Sequence, residues 1–198
     1  MKAESNMAFK PHIQPAQRGF SLIECMISMV ILMVGLLSLL AVFGLAMAST
    51  QTSQENNTAK QLADEAMEGI LTARETANVS WAQINNTGGA GGIFVPGFQP
   101  INCAGVDGII GTADDAACGP QILEMPGSTG VFAGTCPPDT CLPLTNFTRS
   151  IQILPVFPAG GGPASTTLRS VIITVQYTTP QLNIPRQYVL STFISPFR

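Results

Sequence analysis

Histidine is almost missing from this chain of 198 residues: it occurs once, at His12. Beyond that position no Ser-His-Asp or Cys-His nucleophile system can be assembled, and no metal can be held by imidazole. Charge is scarce as well, 11% of residues, with a slightly acidic balance of −3. A nucleic-acid binder would show a basic stripe, whereas the lysines and arginines here are scattered; only Arg149, Arg169 and Arg186, in three separate strand-like segments, leave room for a basic cluster. No phosphate-cradling loop is present, because Gly160-Gly161-Gly162 is followed by no lysine. The acids left for carboxylate-only chemistry, Asp107, Asp114, Asp115, Glu124 and Asp139, sit in loops with no evident apolar pocket to tune their proton affinity. The composition speaks for a non-enzyme.

What is there begins with a stretch free of charge. Cys25 to Ala48 is 24 residues long, about 36 Å as a helix at ~1.5 Å per residue, enough to cross a hydrocarbon core of ~30 Å. Before it stands Arg18-Gly19-Phe20-Ser21-Leu22-Ile23-Glu24. An ionised group at membrane depth costs roughly 2.5 to 3.5 kcal/mol, so Glu24 either lies in the headgroup zone or has a partner. A cut after Gly19 would place a new amine about one helical turn from Glu24.

The Gly-Phe-Ser-Leu-Ile-Glu run ahead of a charge-free span resembles the processing site of type IV prepilins and the related secretion pseudopilins. In that family a membrane peptidase cleaves after the glycine and methylates the new N-terminal residue, and the glutamate at the fifth mature position serves assembly. The resemblance implies that Gly19 ends the leader, that Phe20 becomes the N-methylated terminus and that Glu24 is the assembly carboxylate. It implies as partners the prepilin peptidase, other minor and major pilins and the inner-membrane pilus assembly machinery. No nucleic acid is among them. The stretch from Ile31 to Leu40, followed by a polar helix with Gln51, is similar to the type IV pilus modification proteins, a subfamily of V-type minor pilins placed in a priming complex near the filament tip. The family helix commonly carries a proline near its middle; here Gly35 and Gly44 stand instead. The same-family alternative is a minor pseudopilin of type II secretion. From another class comes a tip adhesin or ligand-binding module, with Phe94, Phe98 and Phe132 as candidate contact residues, and a third reading is an anchored monomer that never polymerises.

Removal of residues 1–19 takes away three basic residues and one acidic one, leaving a mature charge of −5. Basic residues before the span favour a cytoplasmic N-terminus. The chain is thus expected as a single-pass protein of the bacterial inner membrane with a periplasmic head, later part of a pilus on the cell surface. Ser21, Cys25, Ser28 and Gly35 fall near one face of the span, where small side chains permit close helix contacts, with Cys25 expected as a buried side chain at such a contact.

Residues 20–48 therefore read as the transmembrane and assembly half of a helix, and residues 49–84 as its amphipathic half. Ala59, Leu62, Ala63, Ala66, Met67, Ile70, Leu71 and Ala77 form an apolar stripe opposed by Lys60, Asp64, Glu65, Glu68 and Glu75. Residues 85–145 are rich in Gly and Pro and read mostly as loop, tied down by cysteines. Of three possible connectivities, Cys103 with Cys118 and Cys136 with Cys141 close the local loops, which suits an oxidising compartment; a zinc site on these four is disfavoured by their spacing. Asp107, Asp114 and Asp115 lie in an Asp/Gly segment that resembles calcium loops of some extracellular bacterial proteins, though a solvated acidic turn is the plainer reading. Residues 146–198 carry three strand patterns, Phe147 to Phe157, Thr167 to Thr178 and Arg186 to Phe197. The expected fold is α+β and pilin-like: a long N-terminal helix packed on a small antiparallel meander.

Overall fold

The computed structural model describes residues 19, 21–89, 91–124, 141–179 and 184–197. The leader residues before Gly19, together with Phe20, Phe132, Cys136 and Asp139, lie outside the described residues. The chain divides into two compact units, one ending at Met47 and the other beginning at Ala48.

The first unit is helical from Leu22. Ser21 begins it as the N-cap, its carbonyl accepting from the N–H groups of Glu24 (3.0 Å) and Cys25 (3.2 Å). Two serines turn their hydroxyls back onto the helix, Ser28 to the Glu24 carbonyl at 2.7 Å and Ser38 to the Gly35 carbonyl at 2.8 Å. Such bonds satisfy a hydroxyl without water, which a helix in an apolar medium requires.

The second unit is a helix packed on a four-stranded antiparallel sheet, the pilin-like α+β arrangement. Helix α1 spans Leu22–Glu75, and within this unit its buried residues are Ala59, Leu62, Ala63, Ala66, Met67, Ile70 and Ala73. The stripe mixes small alanines at its centre with the larger Leu62, Met67 and Ile70. After α1 come β1 (Gln99–Pro100), α2 (Asp115–Cys118), β2 (Ile122–Glu124), β3 (Cys141–Pro143), β4 (Phe147–Pro155), β5 (Arg169–Thr178) and β6 (Pro185–Ile194). The main sheet has the order β1-β4-β5-β6, and β2 pairs with β3 apart from it. Strand β5 lies at the centre, and its inner residues Val171, Ile173, Val175 and Tyr177 are almost fully buried, as their alternation with polar neighbours requires. Phe147 lies opposite Tyr177 in register and stacks on it at 5.4 Å.

Three polar contacts pin the helix along the sheet. The Tyr177 hydroxyl donates to Asn56 Oδ1 (3.4 Å), Arg149 donates to the Leu62 carbonyl (3.2 Å) and Arg74 donates to the Ser195 carbonyl (3.3 Å). Ile84, Phe94, Ile109 and Leu144 from the loops are buried in the same core.

The structure departs from the sequence reading at element ends. The helix stops at Glu75 and not near residue 84. Ala77 takes a left-handed conformation (φ 61°), and the chain then turns so that Val79 and Ile84 enter the core from off the helical path. Strand β4 ends at Pro155 and β6 at Ile194, short of the expected Phe157 and Phe197, while β5 starts at Arg169, later than Thr167. The sheet also gains a fourth strand, because Gln99 and Pro100 of the loop region pair with Arg149 and Thr148. The three arginines do not converge. Arg149 is buried against the helix, Arg169 lies opposite Pro155 at the other end of β5, and Arg186 pairs with Tyr177 and is exposed.

Candidate functional site

Two places carry the residues singled out by sequence. The first is the loop between Cys103 and Cys118, which a disulfide closes with the Cα atoms 5.7 Å apart. A bridge across a loop of this size stabilises by about 3 kcal/mol in the chain-entropy picture. Inside it Asp107, Asp114 and Asp115 come together, each offering an oxygen within 4.8 Å of the others. The loop also fills those oxygens. Asp115 accepts from the N–H groups of Gly105 (3.0 Å) and Gly111 (2.6 Å). Asp114 accepts from the Thr112 hydroxyl (2.6 Å) and the Asp107 N–H (3.1 Å), and Asp107 from the Ile109 N–H (2.8 Å). Two glycines are required here: a Cβ on Gly105 would collide with the Asp114 carboxylate, and Gly111, at φ +96°, has Ile151 against it.

The neighbouring acids differ in electrostatics. Burial pushes the Asp115 carboxyl above the ordinary 3.8, against the pull of the Gly111 and Gly105 amides, and the charge of Asp114 adds to the rise. The Thr112 hydroxyl and then the Asp107 amide hold Asp114 below it. Asp115 also lines a cavity of about 240 Å³ with Gln99, Thr112, Arg149 and Ile151. No pocket beside these acids was evident in the sequence; in the structure Asp115 lines this one with β1, and Asp107 lines another beside Glu65 and Glu68 of the helix. Arg149 is 5% exposed, and burial lowers its pKa while Glu65 and then Asp115 oppose that fall. Its nearest carboxylate is Glu65, at 4.0 Å, which also accepts from Gln121 Nε2 at 3.0 Å. The group is an internal brace between helix, sheet and loop. Three hard oxygen donors fit the chemistry of calcium, each carboxylate oxygen retaining a free lone pair beside any hydrogen bond it accepts.

Sequence reasoning missed that buried Arg149 would meet half-buried Glu65 and Gln121, since nothing in their spacing marks them. It also missed Asn86, read only as part of a turn. The Asn86 carboxamide donates to the Ile151 carbonyl (2.8 Å) and accepts from the Ile153 N–H (2.7 Å), capping the side of β4 that β1 leaves unpaired. Of the aromatic contact candidates, Phe94 is fully buried and belongs to the core, while Phe98 is 46% exposed.

The second place is the start of α1. Gly19 is exposed, and every described residue from Ser21 to Met47 is exposed too, including Leu22, Ile27, Leu36 and Phe43. Cys25 is free and exposed, so any contact that buries it lies outside the isolated chain. Glu24 sits in the first turn, where a negative charge faces the positive end of the helix dipole. Ser21-Leu22-Ile23-Glu24 also has the S-x-x-E spacing of a capping box. The helix is long and apolar enough to cross a membrane, and none of its most apolar stretch is buried. So large an apolar surface is unstable in water and must be covered by lipid or by other apolar helices.

Among models of protein families, that of the prokaryotic N-terminal methylation motif matches residues 14–40. This match supports the type IV prepilin family. The motif supports a type IV pilin-like or pseudopilin protein and implies processing by a prepilin peptidase in a pilin assembly context, and the apolar helix supports membrane anchoring. No curated protein and no solved structure matches the chain. The matched segment contains Gly19, Phe20, Glu24 and the start of the charge-free span, and leaves the second unit untouched.

Proposed function

We propose that this chain is a minor pilin, cleaved after Gly19 and methylated at Phe20, which joins a priming or tip complex in type IV pilus assembly. The observation that carries the reading is the helix from Leu22 to Met47, exposed on all sides and headed by Glu24 inside the matched motif. Burial in lipid and then among like helices answers that exposure, and Glu24 paired with the Phe20 amine of this or a neighbouring subunit would leave no lone charge in the resulting core. The minor role rests on the resemblance of residues 31–40 to V-type minor pilins and on the missing mid-span proline.

The test is deletion of the gene, followed by complementation with the native chain or Glu24→Gln. The variant should be processed and inserted in the membrane yet be missing from sheared filaments; normal incorporation would overturn the pairing. Co-purification of the processed native protein with minor pilins supports the pilus reading, and recovery with a secretion machine in its place would assign it as a type II pseudopilin. The Asp107, Asp114 and Asp115 loop enters the same proposal as a calcium site of the exported head. Calorimetry on the detergent-solubilised protein should show calcium binding that Asp114→Ala weakens, and silence at millimolar calcium removes that part.

A further inference from the structure

We draw no further inference here: the strongest candidate, the outer face of the sheet along strand β6 with Val189 and Phe193 exposed, is an unpartnered apolar surface, and nothing in the structure shows what covers it.

Discussion

Residues 22–47 and residues 59–73 belong to one helix and are both rich in apolar side chains, yet the first set is exposed throughout and the second is buried along a single stripe. Secondary structure does not distinguish them. The arrangement of charge does: Lys60, Asp64, Glu65 and Glu68 confine the second set to one face, whereas no charge between Cys25 and Ala48 gives the first set a preferred side. An apolar stripe is matched by a sheet of the same chain. An apolar cylinder has no face to offer a sheet, and its cover must come from lipid or from other helices.

This contrast is open to direct attack. The largest expected effect comes from the sheet that faces the stripe. Ile173→Ala, at a fully buried position in β5, should cost about 2 to 5 kcal/mol and lower the melting temperature followed by Trp81 fluorescence in detergent micelles. The same truncation at exposed Ile27 should change head stability by less than about 0.5 kcal/mol. If the two variants melt alike, the division into a self-covered and an externally covered half is wrong.

Next in size is the disulfide. Replacing Cys103 and Cys118 together by serine should remove about 3 kcal/mol, seen as a lower denaturant midpoint; an unchanged midpoint would mean that the loop is held by its hydrogen bonds alone. Arg149→Met should follow, at about 1 to 3 kcal/mol, because the Leu62 carbonyl loses its donor and Glu65 and Asp115 lose a nearby positive charge. A double-mutant cycle with Glu65→Gln checks it, since independent effects would show that the 4.0 Å pair carries no coupling.

The smallest effect concerns pH and separates two adjacent residues. Asp115 has a raised folded pKa, so its ionisation opposes folding; that penalty is absent below the unfolded value near 3.8 and complete above the folded one. Asp114 has a lowered folded pKa, so its contribution is present above 3.8 and is lost as pH falls through the folded value. Relative to the native chain, Asp115→Asn should therefore flatten a gain in stability on acidification from neutral pH, and Asp114→Asn should flatten a loss at lower pH. Urea midpoints measured across the acid range check both signs, and equal slopes in the two variants would show that the loop does not set these protonation states.

Much of the second unit was legible in sequence because burial there follows simple periods. Val171, Ile173, Val175 and Tyr177 alternate as a half-buried strand must, and the stripe from Ala59 to Ile70 repeats as a helix facing a sheet must. The pairing of Cys103 with Cys118 followed from proximity along the chain. The helix end was not legible, since Ala77 carries neither the glycine nor the asparagine that usually marks a left-handed stop. Nor was β1, whose two residues include a proline and pair only because the loop passes β4. The three loop aspartates could be picked out but not ranked: which of them is buried depends on Gly105 and Gly111 presenting their amides to Asp115.

The carboxamide of Asn86 occupies the flank of β4 beyond β1 with one donor and one acceptor, as a foreign backbone would. A stray polypeptide arriving at Ile151 and Ile153 therefore finds the ladder already plugged. Any fibre that incorporates this head must be knit together by something other than cross-β growth along that margin.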